Sequence, residues 1–386
     1  MTPRDGHVRR PRGSAARAGG ALAAALVVAL LAGLFPERGG ADPPPPLTLP
    51  PGFSAQVFAA GLGQPRALAI DPAGTLLVSL SVQGKVVALP ERGDGRPVEP
   101  VTVLQGLHLP HGLAFRHGNL YVAETGRVVR FRYDTKGLAA SDRTVVVSDL
   151  PVAAHHWTRG IAFGPDGALY VSVGSSCDIC READRRRAAI VRYAPDGSGE
   201  RPFATGLRNP VGLAFHPRTG VLWTAVNERD WRRGGAPPDY LTEIHRGGAY
   251  GWPDCYAERG AFVPDPELPD RRDCRGLTRP TFEVPAHSAP LGLAFYTGSV
   301  FPSPYRDGLF VALHGSRPEL PAAGYKLVRV VFQDGRPVEV QDFATGWRRD
   351  DRVWGRPVDV VTGRDGALYV SDDHGGRIVR IAFRAR

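Results

Sequence analysis

Apolar and polar positions alternate along the chain in short runs, and one phrase keeps returning. It reads Gly112-Leu-Ala-Phe115, Gly160-Ile-Ala-Phe163, Gly212-Leu-Ala-Phe215 and Gly292-Leu-Ala-Phe295, with Arg66-Ala-Leu-Ala-Ile70 and Pro357-Val-Asp-Val-Val361 as looser copies. Runs of this length and composition, bounded by turn residues, predict strands. Each copy leads through a turn, plainest at Asp71 to Gly74, Gly164 to Gly167 and Gly363 to Gly366, into a second apolar run. The second runs are Leu76 to Ser79, Leu120 to Ala123, Leu169 to Ser172, Leu222 to Ala225, Leu309 to Ala312 and Leu368 to Ser371. Each pair predicts a hairpin. Third strands are expected at Val86 to Leu89, Val128 to Phe131, Ile190 to Tyr193, Leu241 to Ile244, Leu327 to Val331 and Ile378 to Ile381, with an edge-like fourth after most of them.

Six copies of a four-stranded unit, roughly 45 to 50 residues apart, predict an all-β chain folded as a six-bladed β-propeller. The last copy runs out at Arg386 without a fourth strand, whereas Phe53 to Phe58 supplies one ahead of the first copy. The two ends are therefore expected to share the last blade, which removes the exposed sheet edges of an open array. Two packed β-sandwiches are the alternative, and they leave the shared Gly-Leu-Ala-Phe phrase without a reason. The interval between the fourth and fifth copies is long, and Trp252 to Pro280 reads as an insertion stapled by Cys255 and Cys274.

Composition agrees with many strands and few long helices. The 386 residues include 47 Gly and 36 Pro, spread between short apolar runs rather than gathered in tracts. The amino-terminal segment stands apart: Arg4, Arg9, Arg10, Arg12 and Arg17 precede an apolar run from Ala21 to Phe35, and Gly39-Gly40-Ala41 offers a small-residue cleavage site. Residues 1–41 thus read as a signal peptide, with an uncleaved membrane anchor as the alternative, and residues 42–52 as a Pro-rich linker leading into a domain over 53–386. Export to the periplasm or beyond follows. Four cysteines in an exported chain read as disulfides, paired locally as Cys177 with Cys180 and Cys255 with Cys274. A four-thiolate zinc site is the sharper alternative, and Arg181, standing where a haem-attachment motif needs His, excludes c-type haem. The formal charge of +9 is a mild basic excess with no aromatic-interleaved basic tract, so nucleic acid is not an expected partner.

In a propeller, the loop before the first strand and the loop after the second open on the same face. The first set brings Arg66, His111, His156 with Arg159, Arg208 with Asn209, His287 and Arg356 to one mouth; the second brings Gln83, Glu124, Ser175, Asn227 to Asp230, His314 and Asp372 to His374. Arg and His interleaved with a few acids suit a planar polyanion, because guanidinium groups pair with carboxylates and stack on flat faces. His156 is the expected general base, with adjacent His155 as its rival, since neutral imidazole accepts a hydroxyl proton at ordinary pH.

These phrases together resemble the soluble quinoprotein glucose and sorbosone dehydrogenases, closest to their sorbosone-dehydrogenase-like and pyranose dehydrogenase branch. The resemblance rests on His156-Trp-Thr-Arg159 through Gly174-Ser175, Arg187-Ala-Ala-Ile190, Leu207-Arg-Asn-Pro210, Val226-Asn-Glu-Arg-Asp230, Pro238-Asp-Tyr-Leu-Thr242, Tyr250-Gly-Trp-Pro253, His287-Ser-Ala-Pro290 and Leu313-His-Gly-Ser316. It implies a propeller that uses pyrroloquinoline quinone (PQQ) and Ca²⁺ to oxidise an aldose or related hydroxy-aldehyde, passing the electrons to a separate acceptor. By that resemblance His156 is the catalytic base, and Arg208, Asn209, His314 and Arg356 contact the cofactor; Arg66 and Arg159, from the same mouth, are expected to join them. Asn227, Glu228 and Asp239 form and close the calcium loop.

The chain departs from that pattern at several positions. Ser175 stands where the glucose enzymes carry the carboxylate that orients the base, which leaves Asp178 or Glu182 to take that part. Val226 to Glu228 lacks a Gly-Pro, Trp231-Arg-Arg-Gly-Gly is basic, and Arg317 stands where the closer branch has Trp. Two further classes accommodate the same mouth: a calcium-dependent lactonase or esterase, and a binding propeller without chemistry.

Overall fold

The computed structural model describes residues 46–92, 97–152, 155–230, 235–268, 270 and 273–384, all within one compact unit that spans Pro43–Arg386. The expected leader, and Trp231 to Gly234 of the basic stretch, lie outside the described residues. Six antiparallel sheets of the expected strands form the blades of a propeller.

Blade 1 holds Pro65–Ile70, Leu76–Leu80, Lys85–Leu89 and Val101–Leu104, and blade 2 holds Leu113–Arg116, Asn119–Glu124, Arg127–Asp134 and Ala139–Val147. Blade 3 pairs Ile161–Phe163, Leu169–Val173, Ala189–Tyr193 and Arg201–Thr205, with the short Gly248–Ala249 added in parallel at its edge. Blade 4 holds Asn209–Phe215, Leu222–Asn227, Asp239–Ile244 and Phe282–Val284; blade 5 holds Pro290–Phe295, Leu309–Leu313, Lys326–Gln333 and Arg336–Ala344. Blade 6 takes Pro357–Thr362, Leu368–Asp372 and Arg377–Phe383 from the end of the chain and Phe53–Ala59 from its start, with Phe53 opposite Phe383 and Val57 opposite Val379. The shared last blade is thus present as the sequence predicts.

First strands of successive blades touch one another around the axis, from blade 1 through blade 6 and back to blade 1. This crowding explains the recurrent glycine. A Cβ on Gly112 would lie 2.5 Å from the Arg159 carbonyl oxygen of the next blade, and one on Gly160 2.0 Å from that of Val211. On Gly212 it would lie 2.6 Å from the Leu291 oxygen, and on Gly292 2.0 Å from Asp359 Oδ1. The repeated phrase therefore marks strands packed backbone to backbone at the centre. Blade 6 breaks the pattern: Asp359 accepts the Leu68 amide of blade 1 at 2.8 Å and its own neighbour Val360 at 2.9 Å, closing the ring with a side chain.

The core lies between blades. Second and third strands are buried almost end to end, as in Leu169–Val173 and Leu309–Leu313, and apolar clusters such as those around Leu169 with Tyr121 and Val311 with Trp223 draw on two neighbouring sheets. Residues buried on both faces make the strands read as nearly continuous apolar runs. The insertion after blade 4 folds as a hairpin, Cys255–Glu258 with Ala261–Pro264, and the Cys255–Cys274 disulfide closes it. Arg229, buried, ties this hairpin to the loop after the second strand of blade 4 through Asp265 at 2.6 Å and lies over the Tyr256 ring at 5.4 Å.

Candidate active site

A cavity of ≈380 Å³ opens where the loops of blades 3 to 6 converge, within the ordinary size range of small-ligand sites. Of the residues expected at the mouth, it gathers His156, Arg208, Asn209, Asn227, Glu228, Asp230, His287, His314 and Arg356, together with Asp239 of the expected calcium loop, Asp178 and Arg317. It is lopsided. Glu124 pairs with Arg127 and accepts the His108 amide, Gln83 donates to the Leu62 carbonyl at 3.0 Å, and His111 lines the axial channel instead.

His156 sits in a left-handed backbone conformation, φ 49°, on the loop before blade 3. Gly174 makes room for it, since a Cβ there would come within 2.6 Å of His156 Cβ and 2.4 Å of Asn209 Oδ1. The imidazole Nδ1 lies 2.9 Å from both the carbonyl oxygen and the hydroxyl of Ser175. The Ser175 hydroxyl gives its proton to the Cys177 carbonyl at 2.7 Å. Both Ser175 oxygens then accept, so the proton sits on Nδ1 and Nε2 keeps its lone pair. Burial, with the Arg208 guanidinium next, lowers the imidazole to about 3, so it is neutral at ordinary pH.

Ser175, and neither Asp178 nor Glu182, meets His156 Nδ1, and both acids are engaged elsewhere. Asp178 Oδ1 accepts from Arg208 Nη2 and the Asp230 amide, each at 2.9 Å, and Glu182 holds the amide and hydroxyl of Ser176 at 2.6 and 2.7 Å. Arg159 is the residue whose position differs most from expectation. It is fully buried behind the base loop and donates to the carbonyls of Pro151, His156 and Thr158 at 2.7 to 2.8 Å. It fixes the loop and does not line the cavity. Arg66 also stays outside, donating to Asp373 at 2.5 Å and facing the Trp157 ring.

Asp373 joins that outer arginine to the cavity wall, because its other oxygen lies 2.9 Å from His314 Nε2. Burial works to raise this carboxyl, yet His314 and Arg66 beside it hold it below the ordinary carboxylate range. Sequence reasoning placed Asp373 at the mouth without a role; its position after the second strand of blade 6 was the only signal. Arg356 is fixed by the carbonyls of His314, Gly315 and Ser316 and by the Tyr325 ring at 5.4 Å, with no hydrogen bond on Nη1 among the described residues.

Arg208 spans the floor. Its Nη1 donates to the carbonyls of Asn227 and Glu228 at 3.1 and 2.7 Å, and its Nε to that of Asp178 at 2.8 Å. Asp239 accepts the amides of Glu228 and Ala289 at 2.8 and 2.9 Å, one on each carboxylate oxygen, and so shapes this loop. Three buried oxygens nearby have no partner among the described residues, Asn209 Oδ1 and both carboxylate oxygens of Glu228, and burial pushes the Glu228 carboxyl up to about 7. Orphan oxygens beside a pair of carbonyls fit a hard cation. Cationic side chains around the same cavity fit a flat polyanion.

Comparison with known proteins agrees with this architecture. The chain is 25% identical over 358 residues to an uncharacterised protein of Borreliella burgdorferi, covering 87% of this chain and 91% of that one. It is 27% identical over 395 residues to a pyrroloquinoline quinone-dependent pyranose dehydrogenase of Coprinopsis cinerea, covering 85% of this chain but spanning only 53% of that protein's length. The holo structure of the PQQ domain of that organism's pyranose dehydrogenase superposes with a TM-score of 0.79 at 23% identity, over 89% of this chain and 99% of that one. The TrAA12-like family model matches residues 47–383, nearly the whole described propeller, and the chain belongs to that family.

Proposed function

We propose that this chain is a PQQ- and calcium-dependent sugar dehydrogenase that oxidises an aldose or related hydroxy-aldehyde at its anomeric carbon. The observation that carries the reading is His156: a buried neutral imidazole whose Nδ1 is committed to Ser175, with Nε2 left to accept a proton in a cavity rich in arginine. Such a base suits removal of a sugar hydroxyl proton as hydride leaves the same carbon. The Coprinopsis relative supports the choice of cofactor and sugar class.

Bound PQQ would supply a hydride acceptor at its quinone carbonyl, and a bound calcium ion would supply Lewis acidity beside it. Arg356 and Arg208 offer guanidinium groups to the cofactor's carboxylates, and the carbonyls of Asn227 and Glu228 with Asn209 Oδ1 offer oxygen ligands to the ion. His156 Nε2 takes the hydroxyl proton, and the product is the corresponding lactone. The acceptor that reoxidises the cofactor is a separate partner. Two disulfides and the basic, apolar leader support an exported enzyme, and no helix among the described residues is long and apolar enough to cross a membrane.

Reconstituting the apoprotein with PQQ and Ca²⁺ and following dye reduction over a panel of aldoses tests the reading. Sugar-dependent reduction is expected, falling by at least about a hundredfold in His156→Ala with PQQ still bound. Lactone hydrolysis without PQQ would assign the hydrolase instead, and neither activity would leave a binding propeller.

A further inference from the structure

The described polar network converges on one short loop, Cys177-Asp178-Ile179-Cys180, closed on itself by the Cys177–Cys180 disulfide. Among the described residues, four bonds on this loop reach toward the site. The Cys177 carbonyl holds the Ser175 hydroxyl at 2.7 Å, and that hydroxyl faces His156 Nδ1. The Asp178 carbonyl accepts from Arg208 Nε at 2.8 Å, and its carboxylate accepts from Arg208 Nη2 and the Asp230 amide at 2.9 Å each. Arg208 in turn holds the carbonyls of Asn227 and Glu228. A single covalent ring of four residues therefore supports the base on one side and the arginine with the cation loop on the other.

We propose that the Cys177–Cys180 loop is a redox-sensitive buttress of the active site, holding His156 and Arg208 in register when closed and releasing both when opened to two thiols. The roles of base and cofactor arginine rest on the function proposed above; the buttress itself is a property of the apoprotein. Both cysteines are half-buried, within reach of solvent; in the other disulfide Cys255 is buried and Cys274 half-buried, so the 255–274 pair serves as the comparison for any effect of reduction. A dithiol reductant opens the bond by thiolate attack on one sulfur, and its second thiol then closes the mixed disulfide. Two electrons and two protons pass to the protein as two Cys thiols, and the reductant leaves as its cyclic disulfide. Asp178 acts as a positioning residue, since it touches Arg208 and the 227–230 loop.

Dithiothreitol-treated wild type and Cys177→Ser/Cys180→Ser provide the test, with Cys255→Ser/Cys274→Ser as the comparison. Nitrogen-15 NMR of the histidine-labelled apoprotein, with the His156 signal assigned by its loss in His156→Gln, reads the ring tautomer without any cofactor. Quenching of tryptophan fluorescence reads PQQ affinity. Opening the loop is expected to replace the pure Nδ1–H signal by a tautomer mixture and to weaken PQQ binding by about tenfold or more, the size of a lost charge-assisted contact. Reoxidation restores both, and the 255–274 variant keeps both. Asp178→Asn, which keeps the disulfide, is expected to weaken PQQ binding while leaving the tautomer unchanged, and it decides the arginine side should the double-serine variant fail to fold. Thiol-titrated, fully reduced protein with an unchanged tautomer and unchanged PQQ affinity overturns the proposal. An oxidised wild type that binds no PQQ overturns the function instead, and the tautomer signal still reports on the loop.

Discussion

Burial holds the imidazoles of both His156 and His111 down at about 3, with Arg208 the next influence on the first and Arg66 on the second. Between about pH 3 and 6.5 the unfolded chain therefore takes up protons that the folded chain refuses, and stability falls as pH drops through that window. Above 6.5 the full contribution is present. His111 isolates the effect, because it lies buried away from the cavity lined by His156 and Phe fills similar space. His111→Phe is expected to leave stability near pH 8 within about 1 kcal/mol of wild type and to flatten the loss toward pH 4, as read by urea denaturation. At the base itself, Ser175→Ala keeps the carbonyl acceptor but removes the hydroxyl. An expected drop of about threefold to tenfold in kcat, with KM unchanged, would mark orientation rather than substrate contact. The types of these residues were legible in the sequence and their partners were not. Arg159 and Arg208 look alike on the page, yet one is spent behind a loop and the other floors the cavity, because only packing decides which carbonyls each guanidinium meets.

Among the elements, the inner strands carry the tightest constraint. Gly160→Ala would set a Cβ 2.0 Å from the Val211 carbonyl oxygen, and that atom belongs to backbone which has no flexible end to yield. A loss of about 1 to 3 kcal/mol is expected, visible as a lowered Tm. The seam between blades 6 and 1 behaves differently. Burial pushes Asp359 up to about 7, so between about pH 4 and 7 the folded chain keeps a proton that the unfolded chain sheds, and this site weakens the fold as pH rises. Asp359→Asn should remove that part of the slope. The strands were readable because alternating short runs and turn residues are local signals. Asp359 was invisible, since it sits inside an apolar run and its partner Leu68 lies at the other end of the chain.

At the scale of the molecule, six-fold recurrence and the strand ahead of the first copy were enough to predict both the ring and its manner of closure. The unequal mouth was not predictable from recurrence: equivalent loop positions in blades 1 and 2 face the axial channel or neighbouring loops, while blades 3 to 6 build the cavity. Removing residues 1–59 is expected to abolish the single cooperative unfolding transition and to promote association through the bare edge of Arg377–Phe383, measured by calorimetry and light scattering.

That closure also orders events in time. Phe53–Ala59 emerges early from the ribosome but has no strand to pair with until Arg377–Phe383 is made, more than three hundred residues later. Pairing at such separation is slow, and until it forms the first strand stays unpaired. Under the export proposed above this delay is useful, because the circle is the last thing to form and the thread remains passable while it is being drawn across.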